Sequence, residues 1–350
     1  MAEAVGGVEE SYTAVVRGVT RHDGQIETEL GLILRNDQAL EVEILDGSQQ
    51  GRRVTVPYDA VVLDVGDRLF VQRLMTPDGR EHFAVEEPDR RRSLAVLAAV
   101  FVAAVLAFGR WQGLRALCGL GMSIAIIVAF LIPRLLNGAA PVPWSAAVAI
   151  AILAISIAFT HGIRRSSLAA FLGTAGAVAL TAVLASLAVD AAHLTGLADE
   201  AAFYLDVEAG GRIDLRGLLL GAIIIGAIGV LDDIAITQAT AVEELHAAAP
   251  TMTSRELFRR SLRIGREHVG ALVNTLALAY AGAALPILLL IHGASVPMDR
   301  LLNREMFSVE IVRTIVGSIG IIAAVPLTTW FAVALRTHPN ARAAATDTSS

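Results

Sequence analysis

The sequence predicts an α-helical polytopic membrane protein with a small all-β domain at its N-terminus. Of its 350 residues, 55% are hydrophobic, and the mean hydropathy is +0.60. Seven apolar runs approach the ~20 residues that a helix needs to cross a bilayer. Ahead of them, short segments alternate in polarity and are punctuated by turn residues.

The first ten residues, MAEAVGGVEE, carry no periodic pattern and read as disordered. Residues 11–88 form the β domain. Strand patterns run over Tyr12–Val19, Ile26–Leu34, Ala39–Leu45, Arg53–Pro57, Arg68–Leu74 and His82–Glu86. Turn signals part them at His22-Asp23-Gly24, Asp46-Gly47-Ser48, Val65-Gly66-Asp67 and Pro77-Asp78-Gly79. Short strands with polar turns at this spacing predict an OB-like barrel. Tyr12, Tyr58, Phe70 and Phe83 are too scattered to stack bases, so nucleic acid is not the expected partner.

Residues 93–336 form the membrane domain. Its expected spans are 94–109, 113–133, 142–161, 167–189, 216–234 (running on towards 248), 270–291 and 310–335, and 337–350 is a disordered tail. Residues 1–92 hold 11 Arg against 18 Asp and Glu, a charge of −7, and the remainder holds 17 against 16. All 28 basic residues are Arg, which with the abundant Ala and Val reads as the codon bias of a GC-rich genome.

The positive-inside rule sets orientation. Arg255, Arg259, Arg260, Arg263 and Arg266 put the 254–268 segment in the cytoplasm, as a basic amphipathic helix or a solvated loop helix. Alternation then places the acidic 190–214 loop and the β domain outside. A folded outside domain needs a preceding signal or membrane helix, so the expectation is that such a segment is missing from this chain.

The fifth span carries the strongest candidate site. At about 100° per residue, Ala222, Gly226, Gly229, Asp233, Thr237, Thr240 and Glu244 fall on one stripe. Asp232 and Glu243 form a second column beside it. Carboxylates at membrane depth are costly and face a partner helix or water. Carboxylate and hydroxyl oxygens together suit a hard cation. Asp233 lies roughly 25 Å down the helix from Arg216, towards the inner boundary. There a cation or proton site competes with a helix simply leaving the membrane, and the small residues above fit close helix packing.

Asn274 falls at a similar depth in span six, to cross-link helices or help coordinate an ion. Glu310 and Arg313 are three apart in span seven and predict an ion pair at the outer boundary. His193, Asp199 and Glu200 match no tight metal-ligand spacing, and Ala198–Val207 reads as an interfacial helix. The single cysteine, Cys118, reads as a small buried hydrophobe and excludes a disulfide framework. No nucleophile elbow, phosphate loop or zinc-protease helix occurs, so neither an enzyme nor a cofactor is expected.

Several stretches resemble the YibE/F-like membrane protein family. They are Ala192-His193-Leu194-Thr195-Gly196-Leu197, Arg216-Gly217-Leu218-Leu219 with Gly226-Ala227-Ile228-Gly229, and Asn274-Thr275-Leu276 with Ala279-Tyr280-Ala281-Gly282. Asn303-Arg304-Glu305 leading to Glu310-Ile311-Val312-Arg313 and Gly317-Ser318-Ile319-Gly320 is another, and Ile44-Leu45-Asp46-Gly47 in the β domain is also similar. The resemblance implies a multi-pass membrane protein, with a further N-terminal membrane helix ahead of the β domain in its members.

Two functions follow. The first is a transporter or permease for a cation or small polar solute, using the acidic and hydroxyl face of span five, embedded in the lipid bilayer as one copy or as a homo-oligomer. The second is a non-transporting scaffold or sensor whose β domain binds an envelope ligand or partner.

Overall fold

The computed structural model describes residues 10–21, 26–27, 33–34, 38–75, 80–198, 200–286, 288–289 and 297–337. The chain falls into two compact units that divide between Ala104 and Val105. The expected disordered ends lie almost wholly outside the described residues, as do the 22–24 and 77–79 turns.

The first unit holds strands β1 (Glu10–Arg21), β2 (Ile26–Glu27), β3 (Ile33–Leu34), β4 (Gln38–Ile44), β5 (Arg53–Tyr58), β6 (Arg68–Met75) and β7 (Glu81–Pro88). Five of them form an antiparallel sheet in the order β5-β4-β1-β6-β7, while β2 pairs only with β3. Alternation along β1 and β4 puts Ala14, Val16, Leu40 and Val42 on one face, where they pack with Val56, Leu69 and Val71. The sheet curls until its edge strands, β5 and β7, approach each other without pairing. The closed OB-like barrel is therefore not seen. Pro57 in β5 and Pro88 at the end of β7 offer no N–H to complete a ladder between those edges.

A polar network closes one end of the sheet's inner face, one alternate step beyond Tyr12 and Val71. Arg73 bonds Glu10 at 3.1 Å and Glu81 at 2.5 Å, and Arg52 bonds Glu81 at 2.8 Å. Bonds from Tyr12 and then Arg73 hold the Glu10 carboxyl below the usual range. Arg52 and Arg73 do the same for Glu81.

The helices are α1 (Arg91–Ile126), a π turn (Ile127–Leu131), α2 (Ile132–Leu136), α3 (Pro141–His161), α4 (Arg165–Ala191), α5 (Glu200–Ala209), α6 (Leu215–Ala248), α7 (Ser254–Ala283), α8 (Met298–Leu302) and α9 (Glu305–Thr337). Among the described residues, five segments are long and apolar enough to cross a membrane: Arg91–Leu136, Pro141–His161, Arg165–Ala191, Leu215–Ala248 and Glu305–Arg336. Seven spans were expected. The runs 94–109 and 113–133 join in Arg91–Leu136, which is broken at Arg110 with φ 49° and ψ −126°. The run 270–291 starts within α7, whose first half is strongly basic, and ends outside the described residues.

In the second unit the core lies where α3, α4, α6, α7 and α9 meet. Ala169, Gly173, Ala177, Thr181 and Ala185 recur every fourth residue of α4, and all are buried. Such a ridge lets backbones approach closely. A Cβ on Gly173 would sit 2.7 Å from the Thr328 Cα of α9, and one on Gly320 would sit 2.3 Å from Thr181 Oγ1. Leu231, Ile234 and Val242 of α6 belong to the same core, and Leu231 Cδ2 would lie 3.8 Å from a Cβ on Gly320. Leu257 of the basic segment packs into the same core, while its arginines stay exposed. Cys118, expected to be buried, is exposed on α1, whose apolar surface is mostly uncovered.

Candidate functional site

The apolar residues of α6 decide where its polar ones point. Ile223, Ile224, Ile228, Leu231, Ile234, Ala235 and Val242 take the buried side. The opposite stripe, Ala222, Gly226, Gly229, Asp233, Thr237, Thr240 and Glu244, is exposed along its whole length. A Cβ added at Gly226 or Gly229 would meet nothing within 4 Å. Each of these two glycines therefore has room for a methyl group.

The second column behaves differently. Asp232 turns towards α3 and accepts a hydrogen bond from Ser156 Oγ at 2.8 Å, while its Oδ1 is buried with no partner. Glu243 pairs with Arg336 of α9 at 3.0 Å.

Three hollows lie in order along α6 where it faces α7 and α9. The N-terminal cavity, about 790 Å³, is lined by Leu218, Ala222, Tyr280, Glu310 and Arg313 among others. Here Arg313 Nη1 donates to Glu310 Oε1 at 2.7 Å. Next comes a neck of only about 10 Å³ between Gly226, Val230, Leu276, Tyr280, Arg313 and Gly317. The C-terminal cavity, about 350 Å³, is lined by Thr237, Gln238, Gly265, Glu267 and His268 with several apolar side chains. Tyr280 and Arg313 line both the first cavity and the neck.

A fourth hollow of about 390 Å³ lies off this line. Thr240, Glu243 and Glu244 face His161 and Arg164 across it. Asp233 interacts electrostatically with His161 from the exposed stripe. The predicted residues are thus divided. Ala222, Glu310 and Arg313 share one cavity, Thr237 lies in another, and Thr240 and Glu244 lie in the last. Asn274 is exposed on α7 and makes no hydrogen bond among the described residues. His193 is exposed in the turn after α4, and Asp199 lies outside the described residues.

Three residues stand out that sequence reasoning did not select. Gln238 sits about 140° from Asp233 on the α6 wheel, so the stripe drew attention away from it. Its Nε2 donates to Ser261 O at 3.0 Å and to Thr329 Oγ1 at 2.8 Å, tying α6 to α7 and α9. Tyr280 was noted only within a motif. Glu305 Oε1 accepts from the backbone N–H of Thr195 and of Gly196, each at 2.7 Å, and Oε2 accepts from Thr195 Oγ1 at 2.8 Å. Gly196 has φ +88°, and a Cβ there would lie 2.4 Å from Leu215 O, so only glycine lets this loop close against α6.

Residues 97–338 match the sequence model of the family described as YibE/F-like protein. Comparison with curated proteins gave no match, and comparison with solved structures gave none either.

Proposed function

This chain belongs to the YibE/F-like protein family, and on that footing we propose that it is a transporter for a cation or small polar solute, not an enzyme. The observation that carries the reading is the order of hollows along α6: a cavity, a neck and a second cavity. Two vestibules set in line along one helix, with a narrow place between them, suit a solute that is admitted from one side and released to the other. Thr237 of α6 lines the second cavity of this route; Asp233, Thr240 and Glu244 continue its stripe as further acceptor groups, with Asp232 turned to α3 behind them and Asn274 exposed on α7. Glu310 and Arg313 guard the other vestibule.

The protein sits in the cell membrane as a multi-pass chain with the β domain on the extracytoplasmic side. Seven crossings follow if Arg110 divides Arg91–Leu136 and if the apolar half of α7 completes a span with the residues after it. Uptake of radiolabelled rubidium and of methylammonium into proteoliposomes tests the reading. Asp233→Asn and Arg313→Gln should each cut uptake of the transported probe about tenfold or more with folding intact. Uptake no faster than in protein-free vesicles, or unchanged in both variants, sinks it.

A further inference from the structure

The amide of Gln238 is oriented by its partners, and that orientation leaves one atom uncommitted. Ser261 O is a carbonyl and can only accept, so the group facing it is the NH₂. Thr329 Oγ1 gives its own proton to Val325 O at 2.7 Å, so towards Gln238 it too accepts. Both contacts therefore fall on Nε2. Oε1 turns to Gly265, where an added Cβ would stand 2.6 Å from it, and it accepts no hydrogen bond among the described residues.

Gln238 is only 4% exposed, yet it lines the C-terminal cavity with Gly265. An amide needed only to tie helices together has no use for an oxygen left free at a cavity wall. Among the described residues, the other polar groups of this cavity are a Thr237 hydroxyl, the Glu267 carboxylate and the His268 imidazole, and none is an arginine. The set is rich in acceptors and carries negative charge. The rest of the wall is apolar, from Ile234, Ile264 and Val325.

We propose that this cavity binds a small primary ammonium compound, with Gln238 Oε1 and Glu267 taking the ammonium protons and the apolar wall taking its alkyl part. A bare alkali ion would satisfy the oxygens but leave the apolar wall and most of the ≈350 Å³ without a contact. The proposal names a solute class for the route proposed above and rests on that reading. It is nevertheless tested by binding alone.

The test uses the full chain in lipid nanodiscs, titrated with propylamine hydrochloride at neutral pH and followed by calorimetry. Saturable binding is expected, weakened about tenfold by Gln238→Met and about threefold by Glu267→Gln. Glu267 is exposed, so its variant reports even if Gln238→Met fails to fold. Neither propanol nor sodium chloride should compete at matched concentration. No saturation by about 50 mM, a range that already means very weak affinity, overturns the proposal. So does equal competition by sodium, or unchanged affinity in Glu267→Gln. Binding with no uptake into proteoliposomes sinks the transport reading and leaves this site standing. Uptake with no loss of affinity in the variants does the reverse.

Discussion

Glu305 holds Thr195 by its backbone and its hydroxyl at once. One carboxylate, in the first turn of α9, thereby fixes the loop that joins α4 to α5. The same loop brings Gly196 against the start of α6, so three helices meet through one side chain. Glu305→Ala should destabilise the protein by about 1–2 kcal/mol, since charge-assisted bonds are strong but these are partly exposed. Thr195→Val removes the hydroxyl bond to Glu305 and the one the hydroxyl accepts from Leu197 N–H, leaves both backbone bonds to Glu305, and should cost less than Glu305→Ala. Thermal unfolding in detergent, with the double variant to complete the cycle, checks the coupling.

The glycines of the membrane domain divide by what surrounds them. Gly173→Ala drives a methyl into the Thr328 backbone and should cost about 1–3 kcal/mol. Gly226→Ala meets nothing within 4 Å and should change stability by less than about 0.5 kcal/mol. Monodispersity after heating separates the two. Equal losses would mean that the α6 stripe is packed against something in the native membrane.

Arg110 adopts the backbone of the first central residue of a type II′ turn, a place that favours glycine. Arg110→Gly should raise the melting temperature by removing strain of about 1 kcal/mol or more. Gly113→Ala should lower it, because the new methyl would lie 2.4 Å from Val105 O, a backbone atom that cannot step aside.

At the entry to α1, Asp89 accepts from the Arg91 guanidinium and from the Arg91 N–H, and these bonds lower its carboxyl to about 2. An unfolded aspartate titrates near ~3.9. The folded value is the lower one, so the stabilisation is complete above about pH 4 and is lost as pH falls towards about 2. Melting of the wild type should therefore weaken across that window. Asp89→Asn should melt lower at pH 5 and lose that part of the pH dependence, as circular dichroism can follow.

Much of the fold was legible because it rests on periodicity. The alternation over 12–19, 39–45, 53–57, 68–74 and 82–86 coincides with observed strands, and the apolar runs other than 270–291 fall within long helices. Barrel closure was not legible, since it depends on which edge donors exist and not on polarity. The α6 wheel grouped its stripe correctly on one face, and the structure leaves that face exposed. A wheel reports which residues share a side, not which neighbour covers it. The four-residue ridge of α4 was present in the sequence as Ala169, Gly173, Ala177, Thr181 and Ala185 but has no polar marker to draw attention. Gln238 and Glu305 act through partners 91 and 110 residues away, a distance no local pattern encodes.

The buried residues of α7 are Leu257, Ser261 and Gly265, all within about its first three turns. Beyond them the helix runs on to Ala283 with only half-buried or exposed positions among the described residues. A rod clamped at one end moves most at the other. From Gly265 to Tyr280 is ~22 Å at 1.5 Å per residue, so a tilt of ~10° at the clamp displaces Tyr280 by ~4 Å. That is about a methyl group's width at the narrowest place along α6. Leverage about Gly265 is thus enough to widen the neck without unpacking the Gly173–Thr328 crossing.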